Sequence, residues 1–181
     1  MADWRRTTTA LSHLEMARRV FYSFHYELDH WRASQVRNIG VVKGNRPATG
    51  NEWEAVKRGG DRAIHRWIDE QLYGKSCTVV LIGEKTASRK WIRHEIRESW
   101  EQGMGVLGIY VHQLKDQFGE QCGQGPNPFE RVTVDGLRLS EVVRTYDPAW
   151  FWGGSKNTYS TIENNLADWI EEALDIREDY D

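Results

Sequence analysis

Residues 77–83 read CTVVLIG, an apolar run without alternation that ends in glycine. Residues 106–111 (VLGIYV) form a second run of the same kind. Unbroken apolar runs of this length are typical of parallel strands that are covered on both faces. Between them, Ser88 to Gln102 carries Ile92, Ile96 and Ser99 at helical spacing. A strand, a helix and a second buried strand predict an open α/β sheet with helices on both sides.

The same alternation precedes this unit. Residues 19–24 (RVFYSF) predict a first strand, and residues 39–42 (IGVV) predict a short second strand. Between the two, residues 29–36 predict a polar helix with a weak stripe formed by Leu28, Trp31 and Gln35 with Val36.

A glycine-rich connection leads to the next helix. Lys43 to Gly60 is interpreted as a loop with one short helix around Trp53 to Val56. Asp61 is a candidate N-cap and Gly74 a natural helix stop. The inward stripe of this helix is Ile64, Ile68 and Leu72.

The second half of the chain is less regular. The pattern breaks down from Gln113 to Pro148, where Asp135-Gly136 between alternating segments predicts a hairpin. Ser160 and Glu163 form a candidate capping box for a closing helix. The inward stripe of that helix is Ile162, Leu166, Trp169, Ile170 and Ala173. We expect one domain over 18–181, with 113–148 as an irregular insertion and 1–17 as an N-terminal extension.

Composition narrows the class of protein. The 181 residues carry a net charge of −3, with acidic and basic residues interspersed, which argues against a nucleic-acid partner. No apolar stretch approaches the ~18 residues of a membrane span, and the N-terminus lacks the apolar core of a secretory signal. With Cys77 and Cys122 alone there is no disulfide framework. We therefore expect a cytoplasmic protein without a membrane partner.

Common site motifs are missing from the chain. There is no G-x-G-x-x-G after a strand, no P-loop, no H-E-x-x-H, no paired C-x-x-C and no G-x-S-x-G. We expect no metal site and no bound cofactor.

One helix carries a more specific signal. Trp91 and Glu95 are four residues apart, so they share a helix face beside the core stripe. A carboxylate against an indole at a cleft edge can have a raised pKa. Without further information, Glu95 would be a solvated carboxylate paired with Arg89 or Arg93. His94 is expected off this face, at the surface.

The sequence is similar to a known family in this region. Residues 91–96 (WIRHEI), which follow the VVLIG strand, resemble the helix that carries the catalytic glutamate of NAD-cleaving TIR domains. Residues 19–25, 64–83 and 88–111 resemble the TIR-like ThsB proteins of bacterial Thoeris anti-phage systems. The resemblance implies a flavodoxin-like, three-layer TIR-type fold with a mostly parallel central sheet.

The resemblance also implies a site. Glu95 matches the catalytic glutamate and Trp91 the aromatic residue one turn before it. Tyr22, Ser23 and Phe24 match the strand end that lines the nucleotide site. Residues 43–60 take the place of the TIR BB loop, with no contact residue assigned.

Alternatives stay open for several of these positions. His25, just after the strand end, is a further candidate for substrate binding, although histidine is also common at a helix start. Ser23 could cap the following helix, and Trp91 could simply pack against a neighbouring loop.

The function implied by the resemblance is cleavage of NAD, with release of nicotinamide and formation of a cyclic or modified ADP-ribose. NAD is then a substrate, and the other partners are an effector that senses the product, a phage-derived activator and further copies of the chain. The alternative is a TIR or flavodoxin-like scaffold without activity that signals by protein association. A scaffold does not need Glu95, whereas the enzyme does.

Overall fold

The computed structural model describes residues 18–40, 43–44, 50–148 and 154–180. Within these residues the strands are β1 (Arg19–Phe24), β2 (Lys43–Gly44), β3 (Cys77–Ile82), β4 (Gly105–Tyr110), β5 (Thr133–Val134), β6 (Leu137–Arg138) and β7 (Thr145–Tyr146). The helices are α1 (Tyr26–Arg37), α2 (Gly50–Arg58), α3 (Gly60–Leu72), α4 (Lys90–Glu101) and α5 (Gly154–Glu178).

Five of the strands form one sheet in the order β2-β1-β3-β4-β7, and every neighbouring pair is parallel. The chain adds β2 on one side of β1 and then β3 on the other side, as in flavodoxin-like folds. In such sheets, ligands bind outside the carboxyl ends of the strands at the point where the chain changes sides. The switch point of this chain therefore lies between the ends of β1 and β3.

Helices cover both faces of the sheet. One hydrophobic cluster joins α1 and α5 to the sheet, and it contains Val36 of α1, Leu166 of α5 and Leu107 of β4. On the other face, Ile92 and Ile96 of α4 are buried in a second cluster with residues of β3. The flavodoxin-like three-layer fold is confirmed.

Side chains of β1 alternate between these two faces. Val20 and Tyr22 are buried in the cluster with α1 and α5. Phe21 is buried with α3, and Ser23 contacts α4. Because successive residues of a strand point to opposite faces, Tyr22 and Ser23 cannot line the same pocket wall.

The predicted second strand is displaced. Ile39 lies in the turn that follows α1, Gly40 comes directly after that turn with φ +81°, and the strand itself is Lys43–Gly44. Val41 and Val42 lie outside the described residues. Positive φ suits glycine and ends the extended backbone that the pattern predicted.

The stripe predicted for α1 is confirmed at Val36, which is buried, but is wrong at Leu28 and Trp31. Leu28 and Trp31 are 49% and 48% exposed, whereas Asp29 and Arg32 are buried. The helix buries an ion pair in place of the apolar residues, so its burial does not follow its hydrophobic pattern.

Two predicted helix caps are wrong as well. The N-cap of α3 is Gly59, and the Asp61 carboxylate instead accepts a hydrogen bond from Lys90 Nζ at 2.6 Å. Helix α5 begins at Gly154, which places Ser160 and Glu163 inside it. The stripe of α5 is nevertheless buried at Ile162, Leu166, Ile170 and Ala173, with Trp169 partly buried.

The region between β4 and α5 consists of short elements. β5 and β6 form an antiparallel hairpin, and Asp135 (φ 49°) and Gly136 (φ 83°) make its two-residue turn. Leu114 packs with α1 and α5, whereas Phe129 packs with α4. The chain therefore passes from one face of the sheet to the other across its carboxyl edge.

No helix in the described part of the chain is long and apolar enough to cross a membrane.

Candidate active site

Helix α4 presents Glu95 to the end of β1. Ile92 and Ile96 anchor the helix on the sheet, and Ser99 and Thr78 share a hydrogen bond of 2.6 Å between their hydroxyls. On the same side of the helix, the Ser23 hydroxyl donates to Glu95 Oε2 at 2.5 Å. The carboxylate is thus held by two fixed elements rather than by a loop.

The surroundings of Glu95 are unusual for a surface helix. Its side chain keeps some exposure but is otherwise enclosed by protein, and this burial raises its pKa to about 7. The hydrogen bond from Ser23 opposes the rise, because it stabilises the ionised form. Within the described residues no cation pairs with Glu95, and Arg89 instead approaches Glu27 at 3.7 Å. The solvated ion pair is therefore not what the structure contains.

The position of this carboxylate matches the ligand-binding end of the sheet. Ser23 is the second-last residue of β1 and is in register with Val80 of β3. Glu95 therefore lies at the switch point, where open α/β sheets bind their ligands.

Trp91, one turn before Glu95, is half-buried and packs against the cluster between α3 and α4. Lys90 Nζ lies 4.4 Å from the centre of its ring, and His65 approaches the ring at 5.2 Å with its plane at 85°. Packing within the protein accounts for much of the contact surface of this indole. Its stacking on a substrate stays a prediction.

Tyr22 and Phe24 face away from Glu95. Tyr22 is 3% exposed in the cluster with α1 and α5, where burial raises the pKa of its hydroxyl. Phe24 packs partly against the same cluster, and its ring stacks with Tyr26 at 6.4 Å. Side chains on the opposite face do not share a pocket wall with Glu95, so we leave both Tyr22 and Phe24 out of the proposed site.

His25 has a defined structural role. Its Nδ1 accepts the backbone N–H of Leu28 at 3.4 Å, which caps α1. Burial lowers the pKa of this histidine, which favours the neutral ring that capping requires. Ser23, the alternative cap considered from the sequence, is instead bonded to Glu95.

His94 is not the surface residue that was expected. It is half-buried, and its Nε2 lies 2.8 Å from His65 Nδ1 on α3. Its Nδ1 lies 3.8 Å from Glu98. Residues 65 and 94 come from different helices, so the pairing required knowledge of the packing.

Sequence reasoning also missed a buried charged cluster beside the switch point. Asp29 and Arg32 of α1 are 1% and 3% exposed and form an ion pair at 3.1 Å. The Asp29 carboxylate occupies the space where a side chain of Gly83, just after β3, would lie. Spacing of three residues permitted the pair, but nothing in the sequence indicated burial. Elsewhere among the described residues, no group of three or more His, Cys, Asp or Glu side chains is arranged to hold a metal ion.

Taken together, fold and site define a doubly wound α/β domain with a carboxylate at its switch point. Residues 21–116 match the family model described as "Thoeris protein ThsB, TIR-like domain". A relative from Bacillus cereus (strain MSX-D12), named "Putative cyclic ADP-D-ribose synthase ThsB1", is 42% identical over 146 residues, which cover 78% of this chain and 74% of the relative. The chain belongs to the ThsB family of Thoeris proteins and contains its TIR-like domain.

Proposed function

We propose that this protein cleaves NAD between nicotinamide and ribose and converts the remainder into a cyclic or otherwise modified ADP-ribose. The observation that carries the proposal is the carboxylate of Glu95, fixed by Ser23 at the switch point without a cationic partner among the described residues. The name of the Bacillus cereus relative supports the same chemistry.

The reaction needs a group of this kind. Nicotinamide leaves with the electron pair of its bond to ribose, and the ribosyl centre becomes a positively charged oxocarbenium ion. An ionised carboxylate at fixed distance stabilises that charge without having to reorganise. A carboxylate already neutralised by an arginine would contribute less, and Glu95 has no such partner in the part of the chain that the structure describes.

Ser23, Trp91 and His25 complete the proposed site. Ser23 orients Glu95, while Trp91 lies one turn away on the same helix. His25 occupies the junction between β1 and α1, beside Ser23. We assign these three residues to the substrate surroundings and only Glu95 to catalysis.

The biological setting is proposed from the family. The product is a diffusible signal for a separate effector in defence against phage, and the protein acts in the cytoplasm as one domain over 18–181. A phage-derived component is proposed as the activator. The capture of the ribosyl centre by water or by a group of the same molecule decides which product forms.

The test compares Glu95→Gln with the unmodified protein, incubated with NAD and with lysate of phage-infected cells, and measures nicotinamide by chromatography. We expect a loss of about a hundredfold or more in the rate, because the amide cannot supply the negative charge. Glu101→Gln, exposed at the end of the same helix, is the matched control and should keep its rate. Full turnover by Glu95→Gln would remove Glu95 from the mechanism, whereas absence of nicotinamide release from the unmodified protein would favour the scaffold alternative.

A further inference from the structure

Residues 112–125, which we call the crossing segment, run over the carboxyl edge of the sheet. Near the start of the segment, Leu114 is buried with α1 and α5. Beyond its end, Phe129 is buried with α4. On the way, Gly123 and Gly125 pass against Gly83 and Glu84, immediately after β3. The crossing segment therefore borders the switch point where Glu95 lies.

Arg32 holds the first half of this segment. Its guanidinium donates to the carbonyl of Leu114 at 2.8 Å and to the carbonyl of Glu120 at 2.9 Å. It also donates to Asp29 Oδ1 at 3.1 Å and lies 3.9 Å from Asp116 Oδ2. One side chain of α1 thus ties two points of the crossing segment to the helix that follows β1.

The segment is also ordered internally between those two points. The Asp116 carboxylate accepts the backbone N–H groups of Phe118 at 2.8 Å and Glu120 at 3.0 Å. The N–H of Cys122 donates to the carbonyl of His112 at 3.1 Å, which closes the base of the segment. Since the segment is a closed unit, the contacts of Arg32 set the position of the whole unit rather than of two separate residues.

The glycine contact defines where that unit must lie. A side chain at Gly125 would overlap the carbonyl of Gly83, and a side chain at Gly83 would overlap the Asp29 carboxylate. Asp29 Oδ2 is buried and, among the described residues, has no hydrogen-bond partner. Replacing a buried ion pair by well-packed apolar residues is often neutral or stabilising, so the pair by itself gives little net stability. Apolar residues could not replace the hydrogen bonds from Arg32 to the segment.

We propose that Arg32 is a positioning residue that holds the crossing segment against the end of β3 and thereby limits the access of water to the proposed active site. The inference rests on the proposed function. When the bond from ribose to the nicotinamide nitrogen breaks, the ribosyl carbon forms its new bond either with a water oxygen or with a nucleophilic atom of the same molecule. Each route releases one proton, and the position of the segment sets the ratio of the two products.

The experiment uses the full chain with Arg32→Lys, which keeps the positive charge beside Asp29 but replaces the two nitrogens that donate separately to the carbonyls, Nε and Nη2, by a single one. The matched control is Arg18→Lys, since Arg18 also makes a two-point ion pair, at 2.7 Å to both oxygens of Glu171, away from the switch point. Hydrogen exchange at the amides of residues 114–122 reports the segment directly and needs no activity. We expect about tenfold faster exchange in Arg32→Lys, as one or two hydrogen bonds are lost, and no change there in Arg18→Lys.

The second measurement is the ratio of hydrolysed to cyclic or conjugated product from NAD, together with KM. We expect the ratio and KM to rise in Arg32→Lys and to stay unchanged in Arg18→Lys. If Arg32→Lys does not fold, the double variant Asp29→Asn/Arg32→Met, which removes both charges, takes its place. Unchanged hydrogen exchange in Arg32→Lys would overturn the proposal that Arg32 holds the crossing segment. Faster exchange with an unchanged product ratio and an unchanged KM would overturn the proposed effect of the segment on the active site. If the unmodified protein never cleaves NAD, the proposed function and the proposed effect on water access are both overturned. Faster hydrogen exchange in Arg32→Lys would then still support the proposal that Arg32 holds the crossing segment.

Discussion

Two carboxylates border the switch point, one from each face of the sheet, and they are held in opposite ways. Asp29 is buried, whereas Glu95 is enclosed by protein but keeps some exposure. Asp29 on α1 pairs with Arg32, whereas Glu95 on α4 receives only the neutral hydroxyl of Ser23 among the described residues. Burial raises the pKa of both groups. The charge of Asp29 is neutralised within the fold, while that of Glu95 is left for a positively charged reaction centre. The comparison separates a carboxylate that positions the chain from one that is available for chemistry.

The largest effect should come from breaking the neutralised pair. Arg32→Met leaves the Asp29 charge buried without a counterion, and we expect a loss of about 3–5 kcal/mol in the free energy of unfolding at pH 7. Urea denaturation measures this. The double variant Asp29→Leu/Arg32→Met should recover most of the loss, since it removes both charges. A single variant as stable as the unmodified protein would mean that Asp29 is already protonated at that pH.

Replacing Glu95, the carboxylate without an ion-pair partner among the described residues, should increase the stability of the protein rather than decrease it. The pKa of Glu95 is raised by folding, so its contribution to stability is fully present below the unfolded value of about 4.5 and is lost as the pH rises through about 7. Glu95→Gln should therefore increase the free energy of unfolding by about 1–3 kcal/mol at pH 8. Denaturation at pH 8 and at pH 5 checks this, and the gain should be much smaller at pH 5. Glu101→Gln serves as the control, and an equal gain there would refute a specific effect of burial.

The smallest effect concerns the hydroxyl that holds Glu95. Because the proposed reaction needs the ionised carboxylate, the rate of NAD cleavage should rise with pH, with a midpoint at about 7. Ser23→Ala removes the bond that lowers the pKa of Glu95, so the midpoint should move upward. A pH series of the initial rates of both proteins measures the shift. A midpoint that stays in place would argue that another group controls the profile.

The regular parts of the fold could be predicted from the sequence because burial there follows hydrophobic pattern. The first strand is at Arg19–Phe24 as predicted, and the unalternating run at 77–83 contains the central strand of the sheet, Cys77–Ile82. Ile92, Ile96 and Ser99 form the buried stripe of α4. A parallel strand covered on both faces has a nearly continuous apolar sequence, so its position can be predicted from that sequence.

The rest depended on long-range contacts. Leu28 and Trp31 of α1 are exposed because the helix buries Asp29 and Arg32. Burial of this face depends on the backbone carbonyls of the crossing segment that accept hydrogen bonds from Arg32. The resemblance assigned both Glu95 and the end of the first strand to the site. Which of Ser23 and Tyr22 faces the helix of Glu95, and the direct bond from Ser23, required the packing of that helix on the sheet. Polar burial carries no periodic signal that a single sequence displays.

The parallel sheet has a consequence for when the site can form during synthesis. Ser23 and Glu95 are 72 residues apart, and β1 receives its neighbour β3 only after the intervening chain has been made. Contacts of this range form late, because a long loop must close first. A nascent chain on the ribosome that ends before α4 holds Ser23 without Glu95, so the proposed NAD-consuming activity would be absent at least until α4 has been synthesised and packed against β1.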